Sequence, residues 1–107
     1  MSAIIESRSE SLERQAVLAQ LRSVLPALRA KYGVSKLSVF GSVVRNEMDD
    51  ASDVDLLVEF VQAPGFFKFV ELEEELTGLL RRRVDLVMKQ ALRPRIGRRV
   101  LAEAVPV

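Results

Sequence analysis

Apolar residues recur every three or four positions near the start of the chain, and this spacing predicts an amphipathic helix from Ser9 or Ser11 to about Lys31. The apolar stripe consists of Val17, Leu18, Leu21, Leu25, Leu28 and Tyr32. Serine is favoured at the N-cap of a helix, so either position suits its start. Pro26 interrupts the pattern, because proline removes a backbone hydrogen bond in a helix interior. We therefore expect a kink there or two helices that meet near Val24.

Three short runs rich in β-branched and aliphatic residues predict strands at 36–40, 53–60 and 83–88. In the second run, alternate side chains should leave the strand on opposite faces. One face would carry Val54, Leu56 and Val58. The other face would carry Asp53, Asp55, Leu57 and Glu59. Between the first two strands, segment 43–52 is polar and long enough for one or two helical turns and a loop.

Two further helices are predicted, one over 66–80 and a last one over 91–104 that begins near Pro94. Phe66 and Phe69 share the apolar spacing of the first of these helices. We therefore interpret them as core residues rather than as an aromatic platform for a nucleobase. The predicted order of elements is α-β-α-β-α-β-α.

The composition limits both the domain count and the chemistry. A length of 107 residues suits one domain over 1–107, with residues 1–10 as a candidate disordered segment. The chain has no cysteine and no histidine, so metal binding and acid–base chemistry must rest on carboxylates. No apolar run approaches the roughly 20 residues that a membrane span needs, and the first ten residues lack the apolar stretch of a signal peptide. We expect a cytoplasmic protein without a membrane partner.

Charge is distributed unevenly along the chain although the net charge is only +1. Residues 1–40 carry a net +3, residues 41–80 a net −8 and residues 81–107 a net +6. Such asymmetry is typical of a cation site beside an anion site. It is also what results when the segments pair with each other or face solvent, and charge alone favours this simpler interpretation.

The most informative segment is Gly41-Ser42, followed ten residues later by Asp53-Val54-Asp55. Residues two apart in a strand point to the same side, so both carboxylates would share one space. Two such carboxylates repel each other unless a cation lies between them, and carboxylate oxygens suit Mg²⁺ or Mn²⁺. Gly41 allows close approach of a phosphate to the backbone, and Ser42 adds a hydroxyl donor. Each feature alone is common, but the combination predicts a site for a metal and a phosphate.

Two more residues extend this site. Asp85 lies within the third predicted strand, where a charge is costly to bury without a partner. On a neighbouring strand it would reach the same metals or accept a proton, since three carboxylates around two metals suit displacement at phosphorus. Alone, it would more often be a strand-edge charge or the partner of an arginine such as Arg82 or Arg83. Arg45 is a candidate for holding the γ-phosphate, with pairing to Glu47 or Asp49 as an equal alternative.

The sequence resembles the minimal nucleotidyltransferases (MNT family) of the DNA polymerase β superfamily. The resemblance begins near Leu21 and is carried by segments 40–47, 52–60, 70–76 and 84–87, with further similarity at 91–95 and 100–105. One departure is Asn46, where relatives commonly have glycine. Asparagine tolerates the left-handed backbone region better than most residues do, so we expect the turn to be kept.

The resemblance implies an α+β fold like the polymerase β palm, with a small mixed sheet of three to four strands flanked by helices. It implies that Gly41 and Ser42, with Arg45, bind the nucleotide, and that Asp53, Asp55 and Asp85 are catalytic metal ligands. Two Mg²⁺ ions, with Mn²⁺ as an alternative, would be the cofactors. Many members of this size look like antitoxins beside HEPN-type partners, and some add AMP to a tyrosine of the toxin.

Three hypotheses follow. The first is a transferase that moves a nucleoside monophosphate from ATP or another nucleoside triphosphate to a hydroxyl of a HEPN-domain partner, and so acts as an antitoxin. The second is a catalytically silent antitoxin that neutralises its partner by binding alone. The third, a nucleic-acid-binding module, conflicts with the near-neutral charge, so direct nucleic-acid binding is not expected. A homodimer and a hetero-oligomer are both candidate assemblies.

Overall fold

The computed structural model describes residues 2–45 and 53–107, with side chains described from residue 14 onward. Three helices, one short 3₁₀ turn and four strands make up this part of the chain. In chain order they are α1 (Ser2–Tyr32), β1 (Val34–Phe40), β2 (Val54–Phe60), α2 (Phe66–Leu80), β3 (Val84–Met88), the 3₁₀ turn (Lys89–Ala91), α3 (Pro94–Glu103) and β4 (Val105–Pro106). The predicted α+β class is therefore confirmed.

The first helix is longer and more continuous than its sequence indicates. It begins at Ser2 rather than at Ser9 or Ser11, and it continues through Pro26, so the prediction of two helices is wrong. All six residues of its predicted apolar stripe are buried. The helix ends at Gly33, whose φ of 73° is the left-handed conformation that glycine adopts readily, and whose N–H donates to the Arg29 carbonyl at 3.1 Å. One domain over 1–107, and the status of 1–10, stay predictions.

The four strands form a mixed sheet in the order β3-β2-β1-β4. Strand β2 pairs with β1 antiparallel and with β3 parallel, and β4 pairs with β1 antiparallel. All three predicted strands are present, with shifts of no more than two residues at their ends. Strand β4 was not predicted because two residues, one of them Pro106, carry no periodic pattern. The predicted mixed sheet is therefore confirmed at four strands.

One face of the sheet packs against α1 and α2 to form the core. The alternation predicted for β2 is confirmed, because Val54, Leu56 and Val58 are fully buried on this face. The most completely buried side chains are Leu21, Val34, Leu37, Val39, Val54, Leu56, Val58, Leu72 and Leu76. The opposite face of the sheet carries Asp55, Glu59 and Asp85 together with the buried Leu57 and Ser38.

Two local predictions need comment. Phe69 packs against the core, but Phe66 is 73% exposed, so its assignment to the core is wrong. Phe66 is the first residue of α2, and its ring lies against that of the exposed Phe67, with 5.7 Å between the ring centroids. In the segment between β1 and β2, residues 41–45 form a turn and the rest of the predicted helical turns lies outside the described residues. No helix in 2–45 or 53–107 has the length and apolarity of a membrane span.

Candidate active site

The central strand β2 brings two of the predicted carboxylates together. Asp55 lies opposite Asp85 in the parallel pairing with β3, and opposite Phe40 in the antiparallel pairing with β1. Residues paired in this way point to the same face of a sheet, and neighbouring strands lie about 4.8 Å apart. Asp55 and Asp85 therefore lie side by side on the face away from α1 and α2. Asp53 lies two residues before Asp55 and is exposed at the start of the strand.

Gly41 lies directly against the Asp55 carboxylate. Its φ is 75°, which an L-residue with a side chain rarely adopts. A Cβ atom built on Gly41 would collide with Asp55 Oδ2 and lie 3.0 Å from its Cγ. Both the backbone conformation and the space therefore require glycine here. The Asp55 carboxylate is thus held against the buried backbone of Gly41 at the end of β1, and close approach of a phosphate to this glycine stays a prediction.

Hydrogen bonds join the turn after β1, the start of β2 and the start of β3 at one end of the strands. The Ser42 hydroxyl donates to the Asp53 carbonyl at 3.4 Å, which links the turn after β1 to the start of β2. The Val54 N–H donates to the Arg83 carbonyl at 2.9 Å, which fixes the start of β3 beside β2. The structure thus places five residues at the same end of the strands: Gly41, Ser42, Asp53, Asp55 and Asp85.

The electrostatics of Asp55 reflect this crowding. Partial burial is the main cause that raises the pKa of Asp55 above its ordinary value, and the nearby charges of Asp85 and Asp53 raise it further. Arg45 acts in the opposite direction and lowers the pKa of Asp55, while Glu103 raises it. A carboxylate whose charge is disfavoured by burial and by like charges is a site where a cation would bind favourably.

Arg45 has a partner that the sequence did not reveal. Its Nη1 lies 2.8 Å from Oε1 of Glu103, which is the last residue of α3. The alternative partners considered from the sequence, Glu47 and Asp49, lie outside the described residues. Glu103 falls within segment 100–105, which resembles the family, but an ion pair across 58 positions has no local sequence signal. The role of Arg45 in holding a γ-phosphate stays a prediction.

The donor set is consistent with a hard divalent cation. Asp53, Asp55 and Asp85 offer only oxygen ligands, and Mg²⁺ is usually held by one or two carboxylates together with substrate phosphates and water. Within 2–45 and 53–107, however, no three acidic side chains converge in the way that a preformed metal site would require. The neighbouring Asp55 and Asp85 fit such an ion, and the assignment of all three carboxylates to two ions stays a prediction.

Comparison with known proteins places this geometry in context. The model of the nucleotidyltransferase domain family matches residues 21–107. The chain is similar to the protein adenylyltransferase MntA of Thermococcus cleftensis, with 49% identity over 94 residues that cover 84% of this chain and 95% of that protein. Both matches include the turn after β1, the paired aspartates and Asp85.

Solved structures show the same fold. A protein proposed to be a minimal nucleotidyltransferase superimposes with a TM-score of 0.76 at 39% identity, covering 88% of this chain and 95% of that chain. A complex of tri-AMPylated Shewanella oneidensis HEPN toxin with MNT antitoxin also contains a similar chain. That match has a TM-score of 0.58 at 20% identity and covers 91% of this chain and 70% of that one. At this identity, the likeness shows the fold alone.

Proposed function

The chain belongs to the nucleotidyltransferase domain family, and from this premise we propose that it transfers AMP from ATP to a hydroxyl of a HEPN-type partner protein. The observation that carries the proposal is the alignment of Asp55 with Asp85 on parallel strands, beside the backbone of Gly41. Like charges gathered at one end of neighbouring strands are costly in an isolated protein. They are expected where a cation and a triphosphate bind.

Each residue of the site has a role in this proposal. Gly41 and Ser42 bind oxygens of the triphosphate, and Arg45 offers a guanidinium for the phosphates beyond the α position. Three carboxylates would hold two Mg²⁺ ions, with Mn²⁺ as an alternative: Asp53, Asp55 and Asp85. When bound, these ions neutralise charge that develops on the phosphate oxygens.

The reaction is a displacement at the α-phosphorus of ATP. The oxygen of the acceptor hydroxyl forms a bond to this phosphorus, and the bond between the α-phosphorus and the bridging oxygen to the β-phosphate breaks. Pyrophosphate leaves with that oxygen, and AMP stays on the acceptor. Asp85 is exposed on the strand beside Asp55, so it is suited to accept the proton of the attacking hydroxyl.

The acceptor and the cellular role rest on the relatives. The similar Thermococcus protein is named a protein adenylyltransferase, and the Shewanella complex joins an MNT antitoxin to an AMPylated HEPN toxin. We therefore propose that this chain acts in the cytoplasm as an antitoxin that modifies its toxin. The alternative is an antitoxin of the same fold that neutralises by binding alone.

The direct test is transfer of label from ATP labelled at the α-phosphate. The purified chain is incubated with Mg²⁺ and a HEPN-type partner protein, and label on the partner is counted. We expect the Asp53→Asn/Asp55→Asn variant to lose at least about 100-fold in rate, because it lacks both charges that hold the metal. A variant that transfers label at the wild-type rate would contradict the proposed roles.

Glu59→Gln is the matched control for this test. Glu59 lies on the same strand and the same face as Asp55, four residues further along, where it pairs with Lys89 at 3.4 Å. Its neutralisation changes charge on β2 without touching the site, so label transfer should stay within about twofold of the wild type. Neutralisation of the toxin by an Asp53→Asn/Asp55→Asn/Asp85→Asn variant that transfers no label would establish the binding-only alternative instead.

A further inference from the structure

The ion pair between Arg45 and Glu103 joins two distant parts of the chain beside the carboxylate site. The two atoms lie 2.8 Å apart, and the pair is 58 positions apart in sequence. The two ends differ in exposure, since the Arg45 side chain is 46% exposed and that of Glu103 only 18%. Glu103 is thus the fixed partner of the pair, and Arg45 is the partner that faces solvent.

Both residues are anchored through the same strand. Arg45 follows β1, and its N–H donates to the Gly41 carbonyl at 3.1 Å, which closes the turn against Asp55. Glu103 ends α3, and the next residues form β4, in which Val105 pairs with Val39 of β1. The Val107 N–H also donates to the Leu37 carbonyl at 2.9 Å. Strand β1 therefore fixes the position of the guanidinium from both sides.

Helix stability does not account for Glu103. A negative side chain in the last turn of a helix is unfavourable, because the helix macrodipole places negative charge at that end. The ion pair with the half-exposed Arg45 at most offsets this, because such pairs contribute little to stability. Helix stability therefore gives no reason for a carboxylate at this position.

We propose that Glu103 is a positioning residue that holds the Arg45 guanidinium beside the carboxylate site, where it meets the β- and γ-phosphates of the nucleotide. This inference rests on the proposed function and adds a residue to it. A guanidinium carries five N–H donors in a planar fork, so a bond to one Glu103 oxygen is compatible with further bonds to phosphate.

The reason for a separate anchor lies in the neighbouring charges. Arg45 closes the turn that begins at Gly41, and Gly41 lies against the Asp55 carboxylate, so the guanidinium is near both Glu103 and the candidate metal site. Glu103 pairs with Arg45 from the side of α3, which leaves Asp55 for the metal. Glu103 thus orients the Arg45 guanidinium, and Asp55 receives the metal ion.

The test compares the binding of two nucleotides by calorimetry, with Mg²⁺ and without any partner protein. We expect Glu103→Gln to weaken the binding of ATP roughly tenfold, because a charge-assisted contact to the outer phosphates loses its orientation. The binding of AMP, which lacks those phosphates, should change less than about twofold. Glu75→Gln is the matched control, since Glu75 forms a 3.0 Å pair with Lys31 between α1 and α2. It should leave both affinities unchanged.

A double-mutant cycle with Arg45→Gln separates positioning from a structural role. We expect Glu103→Gln to have no further effect on ATP binding once Arg45 is replaced. An equal loss in both backgrounds, an equal loss for AMP, or tighter ATP binding by Glu103→Gln would each overturn the proposal. If Glu103→Gln lowers the melting temperature, the Arg45→Gln variant is used as well, because Arg45 is the more exposed residue of the pair. It should show the same selective loss of ATP affinity. Failure of AMP transfer to a partner would overturn the proposed function but leave this binding result intact.

Discussion

At the scale of single residues, the contact between Gly41 and Asp55 has the most consequence for the site. Gly41 combines a positive φ with a space that the Asp55 carboxylate already fills. The sequence predicts close approach of a phosphate at this glycine, because Gly-Ser directly follows a predicted strand, and this stays a prediction. The sequence does not show that Asp55 lies against Gly41 within the protein, since that depends on the register between β1 and β2.

Gly41 and Gly33 together allow the effect of this contact to be measured. Both have φ near 75°, but a Cβ on Gly33 would meet no atom within 4 Å. We expect Gly33→Ala to lower the free energy of unfolding by about 1–2 kcal/mol through backbone strain alone. Gly41→Ala should lower it by about 1–3 kcal/mol more, because the methyl group displaces the Asp55 carboxylate. Urea denaturation of both variants measures the difference, and equal losses would contradict the described contact.

At the scale of elements, periodic segments were predictable and context-dependent ones were not. Strand β2 follows its alternation, and α1 buries the stripe that its spacing indicates. Phe66 fits the spacing of α2 but is its first residue and is exposed, whereas Phe69, three residues later, packs against the core. Strand β4 forms through its antiparallel pairing with β1 rather than through a pattern of its own. Glu103 was missed for a similar reason, since its partner is brought near by the sheet rather than by the sequence.

The continuity of α1 through Pro26 gives a prediction about this element. Proline within an exposed helix interior costs up to about 3 kcal/mol relative to alanine, and Pro26 is exposed. We expect Pro26→Ala to raise the free energy of unfolding by about 1–3 kcal/mol in urea denaturation. Arg22→Ala, one turn earlier and also exposed, is the control and should change it by less than about 0.5 kcal/mol. An unchanged or lowered stability of Pro26→Ala would contradict a proline placed in the interior of a continuous helix.

At the scale of the whole molecule, the two faces of the sheet differ in what they contact. One face packs against α1 and α2, and the other carries Asp55 and Asp85. The uneven charge has two origins accordingly. Part of the acidic middle is paired structurally, since Lys31 contacts Glu71 and Glu75. The aspartates instead lie at the candidate site, where the interpretation as a cation site stays a prediction.

The intact mass of the HEPN-type partner, measured after incubation with the chain, ATP and Mg²⁺, tests the central claim most directly because it identifies the transferred group. We predict a mass increase of one or more AMP groups with the wild type and with Glu59→Gln. No increase should occur with Asp55→Asn or when EDTA removes Mg²⁺. A partner that stays unmodified while it is bound and neutralised by the wild-type chain would contradict the account. Addition of phosphate in place of AMP would contradict it as well.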